Sequence, residues 1–215
     1  MIAVVDPELM ITIPPKLTAY QGFDALFHSV EGYVSKGVNL MSDMYALTAI
    51  ESVARNLEKA VKNGNDLEAR EKVAFGSTLS GVVESVGLCT SQHALEHAMS
   101  AFHQELPHGA GLIMISRAYF THLINKQACD DRFVKMARAM GMKDAKEPTD
   151  FITMLEKLME DCGVSKLKMS DYGIKPDELE TLAKNAKETM GFLFDADRVE
   201  LSVEDCIDIF RRSYE

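Results

Sequence analysis

From Lys16 onward, apolar residues recur at three- and four-residue spacings, the mark of amphipathic helices. Leu17, Tyr20, Asp24, Phe27, His28, Glu31 and Val34 form the first such series and predict a helix from residue 16 to the 32–37 region. Ala46, Ile50, Val53, Leu57 and Val61 give the inward stripe of a second, over 42–63, with Asn63-Gly64 as its stop. Asp66 is placed to cap a third, running to about 87, where Gly76, Ser80 and Gly81 make a small-residue face suited to close helix packing. Thr90 or Ser91 caps a fourth, which Pro107 would end. The apolar run AGLIMISRAYFTHLI reads as a buried helix starting beside His108. Amphipathic helices follow over 130–140 and 150–162, closed by Gly141 and Gly163. Another opens at Pro176-Asp177 and runs to about 190, FLFDADRVELS is a linker, and Ser202 caps a last helix over 203–214.

Only the opening residues break this pattern. IAVVDPEL is a short apolar run interrupted by Asp6-Pro7, and ITIPP ends at a double proline. They predict an extended segment at 2–5 followed by a linker. A lone strand has nothing to pair with, so residues 1–15 are expected to lead out of a preceding domain. The expected architecture is therefore all-α: eight to ten helices over 16–215 behind an extended linker.

The 215 residues suffice for one sizeable core, and an apolar fraction of 47% with 26% charged residues is ordinary for a globular protein. No apolar run approaches the roughly 20 residues a membrane helix needs. A net charge of -10 opposes binding to nucleic acid or anionic membranes. Cys89, Cys129, Cys162 and Cys206 are spread without a CxxC pair and read as reduced thiols of a cytoplasmic protein. Thirteen methionines and no tryptophan suit a Leu/Met-packed helical core.

The candidate chemistry lies in the histidines. His93 and His97 stand one helical turn apart, Asp24 and His28 repeat that spacing far upstream, and His108 follows at a helix end. One carboxylate and three imidazoles can meet on a divalent ion. A set without thiolate suits iron(II) or zinc rather than calcium or magnesium, and it leans toward catalysis because structural zinc sites are cysteine-rich. Two other readings compete. HALEH fits the inverted zinc-peptidase motif, with His93 and His97 on zinc and Glu96 as general base. Alternatively, a metal merely fixes helix packing in a non-catalytic module. His103 and His122 lack partners at useful spacing and read as satisfied core residues.

PPKLTAYQGFDALFHSVEGYVS and SQHALEHAMSAFHQELPHGAGL together resemble the two signature stretches of the iron-containing (group III) alcohol dehydrogenases, and the similarity extends from about Asp6 to the C-terminus. The resemblance implies the helical C-terminal domain of such an enzyme, with Asp24, His28, His93 and His108 on Fe2+, or Zn2+ in some members, and His97 beside the nicotinamide and substrate. Tyr20, Gln21, Phe23 and Phe27 depart from the residues common in the family, yet every ligand position is kept. The related glycerol dehydrogenases and dehydroquinate synthases share the architecture with a different ligand set. The resemblance also implies a missing N-terminal α/β domain with a glycine-rich turn for NAD or NADP, a small alcohol or aldehyde as substrate, and possible homodimer formation through apolar surface exposed at the domain cleft. The chain alone is expected to have little or no dehydrogenase activity.

Overall fold

The computed structural model describes residues 2–214; Met1 and Glu215, the outer ends of the two expected segments, lie outside the described residues. Among the described residues there are ten α-helices, three short 3-10 turns and no strand, an all-α architecture. The first helix, α1 (Pro15–Val34), is the element the others surround. Against it pack α2 (Leu40–Ala54), α3 (Leu57–Lys62) and α4 (Leu67–Gly87) on one side and α6 (His108–Asn125) on the other. The histidine helix α5 (Ser91–Phe102) lies on α6 and α9 (Leu179–Asp195), while α7 (Asp130–Met140) and α8 (Thr149–Asp161) close the far end and α10 (Val203–Ser213) covers α6 and α9. No single helix among them is long and apolar enough to cross a membrane.

The core is aromatic where α1 meets α6. Phe120 lies 6.1 Å from Phe27, 5.1 Å from Tyr119 and 5.3 Å from Phe151, centroid to centroid, with Phe133 at 6.3 Å. Stacked and edge-on ring pairs of this kind stabilise beyond the area they bury. The layer holds α1, α6, α7 and α8 in fixed register beneath the histidines.

Several helix ends follow the sequence. The Asp66 side chain accepts from the Ala69 N–H at 3.0 Å, and Ser202 and Asp205 form a reciprocal capping box on α10. Other expectations need correction. The helix expected over 42–63 starts at Leu40, capped by Asn39, and breaks at Arg55-Asn56; there Asn56 Nδ2 turns back to the Ser52 carbonyl at 2.8 Å, competing with the helical backbone. Thr90 precedes α5 without a capping bond, because its hydroxyl is drawn to Glu31. The linker expected from Phe192 is largely helix: α9 bends at Met190 (φ -131°, ψ 35°) and continues to Asp195, burying Leu193 and Phe194. Burial of the Phe194 ring and the Leu193 methyls outweighs the Asp-flanked local sequence. The expected strand at 2–5 is irregular, with Ile2 and Val4 open to solvent, and a 3-10 turn at Pro7–Met10 follows under an Asp6 cap. Leu17 is partly exposed, although it was expected on the inward face beside Tyr20.

Candidate metal centre

Three helices build the site. Asp24 and His28 project from one face of α1, His93 and His97 from one face of α5, and His108 is the first residue of α6. Their convergence depends on two glycines beside His108. A Cβ on Gly109 would lie 2.2 Å from the Tyr20 carbonyl oxygen, so only glycine lets the start of α6 touch the backbone of α1. A Cβ on Gly111 would lie 2.7 Å from Glu96 Oε1, so its absence leaves room for that carboxylate.

Asp24 Oδ1 sits at the centre of three imidazole nitrogens: His28 Nε2 at 3.3 Å, His93 Nε2 at 3.5 Å and His108 Nε2 at 3.3 Å. Asp24 Oδ1 and His93 Nε2 are buried without a hydrogen-bond partner. Such orphaned polar atoms are rare in folded proteins, and a cation at the point of convergence satisfies both. The far sides of the rings are held as well. His93 Nδ1 meets Glu31 Oε1 at 2.5 Å, and His108 Nδ1 meets Glu96 Oε2. Both carboxylates are fully buried. Carboxylates on Nδ1–H fix the tautomer that leaves each Nε2 lone pair facing inward. Behind Glu31 the network continues: its Oε2 accepts from the Thr90 N–H and hydroxyl, each at 2.8 Å, and Tyr119 links Thr90 to the buried Asp197. Ser100 donates to Glu96 Oε1.

The electrostatics match this geometry. Burial pushes the Asp24 carboxyl upward, but the imidazoles of His108, His28 and His93 crowded around it hold it well below the usual carboxylate range. Burial works against charge on the rings too, yet Asp24 and Cys89 raise His28 to about 10, Asp24 and Glu96 raise His108 to about 9, and Glu31 and Asp24 carry His93 well above its ordinary value. The centre is therefore a concentrated negative field that demands positive charge, and a divalent cation competes there with protons.

His97 lies outside the convergence. Its ring is 6.2 Å from that of His93 and nearly perpendicular to it, and Nδ1 points to Met190 Sδ at 2.8 Å, at the bend of α9. Desolvation, with repulsion from His108 and His93, lowers its pKa. His103 is half-buried with Nε2 3.4 Å from Glu178, and His122 is buried with Nε2 3.8 Å from Asp205. Glu96 is spent on His108 and Ser100 while Asp24 occupies the centre, an arrangement opposite to that required by the inverted peptidase motif. The cluster is also not closed: Asp24 and His28 line a cavity of about 640 Å³ between α1 and α4. Sequence reasoning did not find Glu31 and Glu96 as ring partners. Both stand three residues after a ligand candidate, at His28 and His93, and this helical spacing was the available signal.

An all-helical fold organised around one carboxylate and three convergent imidazoles defines the class: a helical domain with side chains grouped as a metal donor set. The chain belongs to the Fe-containing alcohol dehydrogenase family, C-terminal, whose pattern matches residues 18–214. It is 33% identical over 194 residues to the NAD-dependent methanol dehydrogenase of Bacillus methanolicus, covering 87% of this chain and 49% of that protein. It is 34% identical to the 1,3-propanediol dehydrogenase of Klebsiella pneumoniae, covering 86% of this chain and 48% of that one. Among solved structures, an archaeal alcohol dehydrogenase from a Red Sea brine pool superposes with a TM-score of 0.90 at 29% identity, over 97% of this chain and 53% of that one. A 1,3-propanediol oxidoreductase gives 0.89 at 30% identity, over 97% and 55%. The chain thus spans about half the length of the relatives it matches.

Proposed function

We propose that this chain is the metal-binding half of an alcohol dehydrogenase that interconverts small alcohols with aldehydes or ketones, with Asp24, His28, His93 and His108 holding a divalent iron, or zinc in its place. The observation that carries the reading is the Asp24 oxygen surrounded by three imidazole nitrogens at 3.3 to 3.5 Å, with two of the four atoms buried and unpartnered. When bound, the cation supplies Lewis acidity toward a substrate hydroxyl or carbonyl oxygen. Asp24 is the single anionic donor, so the ion keeps a net positive charge toward the substrate oxygen. Glu31 and Glu96 keep the protons of His93 and His108 on Nδ1 and the rings in place. His97, anchored through Nδ1 on Met190, keeps Nε2 as an acceptor for the alcohol proton, and its lowered pKa leaves it neutral and ready for that task. The nicotinamide of NAD or NADP supplies the hydride acceptor and is held by a cofactor half outside these 215 residues.

Elemental analysis tests the ligand assignment. Removing His93 or His108 by substitution with alanine should lose most of the bound metal, and a full equivalent retained in both variants overturns it.

A further inference from the structure

We propose that the centre carries a second, sulfur-bearing donor set, Cys89 with His28 and His93, which takes a soft, thiophilic divalent cation such as cadmium. The proposal rests on the metal-centre reading above, because the two sets share His28 and His93.

His28 is the pivot. Its Nε2 faces Asp24 Oδ1 at 3.3 Å, while Nδ1 on the other edge of the ring faces Cys89 Sγ at 3.1 Å and Glu84 Oε2 at 3.5 Å. One ligand atom from each of His28, Cys89 and His93 lies within 4.8 Å of the others, the same closeness that Asp24, His93 and His108 achieve. His93 Nε2, deeply buried and unpartnered, is the second pointer to a ligand here. The contrast among the rings matters. His93 and His108 are locked through Nδ1 by fully buried carboxylates, whereas a thiol is a weak acceptor and holds His28 loosely. Cys89 is itself aimed by strain. Leu88 before it has φ 62° and ψ 155°, a conformation L-residues avoid, and this corner between α4 and α5 turns the Cys89 side chain inward to 5% exposure.

Thiolate favours a soft cation such as cadmium over iron(II). As the metal–sulfur bond forms, the thiol proton leaves to solvent. His28 binds through Nδ1, whose proton also leaves to solvent, and keeps the proton on Nε2, which donates to Asp24 Oδ1. That tautomer withdraws His28 from the Asp24 set, so a chain holds one ion in one set or the other. The cavity that His28 lines with half-exposed Glu84 is the access route. Because His28 then leaves the Asp24 set, a thiophilic metal on sulfur would silence the centre.

Titration of the 215-residue chain with cadmium, followed by ultraviolet absorbance, tests this. A sulfur-to-cadmium charge-transfer band saturating at one ion per chain is expected, lost in Cys89→Ser and kept in His108→Ala. The cadmium NMR shift of the unsubstituted chain should independently report a sulfur ligand, so the test survives even if Cys89→Ser does not fold. Cadmium bound without a sulfur signature and lost in His108→Ala overturns this proposal while leaving the Asp24 set standing. A band that persists in Cys89→Ser also overturns it, and a chain that binds no cadmium overturns it while leaving the Asp24 set to the elemental analysis above.

Discussion

Glu31 accepts from His93 Nδ1 with one oxygen and from Thr90 with the other, fully out of water. A carboxylate in this position orients a ligand ring and raises its basicity, and losing such a partner typically costs about 10- to 100-fold in metal affinity. Glu31→Gln is therefore expected to weaken metal binding by that factor with the fold intact, as read by competition with a chromophoric chelator; unchanged affinity would remove Glu31 from the site. At the other end of the same network, burial pushes Asp197 up to about 7, against bonds from Ser91 and Tyr119. A folded value above the ordinary 3.8 means that the folded state binds the proton more tightly. This contribution to stability is fully present below pH about 4 and is lost as pH rises through about 7. Relative to Asp197→Asn, the parent chain should lose on the order of 3 kcal/mol between pH 5 and pH 8 in urea unfolding; parallel pH profiles would refute it. At this scale the sequence exposed the ring-bearing residues, because i,i+4 pairs show in a linear string. It hid Asp197, whose partners lie 106 and 78 positions away.

Helix ends, rather than helix middles, decide where the donors meet. Gly109→Ala would drive a methyl into the backbone of α1, which cannot yield as a side-chain tip can. Overpacking of this kind typically costs about 1 to 3 kcal/mol. The variant should melt lower and bind metal more weakly, and a thermal midpoint equal to the parent's would contradict the close approach. Leu88 offers the reverse case. It is half-exposed and strained, so Leu88→Gly should stabilise by about 1 kcal/mol, visible as a higher urea midpoint. The sequence revealed α1, α4 and α10 well, since an apolar stripe, a capping Asp66 and a capping Ser202 mark them. It concealed the break at Asn56, where neither proline nor glycine stands, and the run of α9 past Met190, where long-range burial of Leu193 and Phe194 overrides an Asp-flanked segment. Gly109 was visible as a residue, but its reason was not, because the Tyr20 carbonyl it admits belongs to another helix.

At the scale of the whole molecule, the chain matches only about half of each curated relative, and the proposed hydride acceptor lies with the other half. Much of the rate in such a reaction comes from holding cofactor and substrate in place. The purified chain is accordingly expected to give no NAD- or NADP-dependent absorbance change with small alcohols, even when loaded with iron; robust turnover would defeat the proposal of a separate cofactor half.

His28 and His93 stand roughly 65 positions apart and enter the centre from different helices. An ion gripping both is a cross-link in the polymer sense, closing a long loop that the unfolded chain would otherwise leave open. Filling the centre should then act as a thermostat on the fold, raising the melting temperature with the logarithm of free metal concentration.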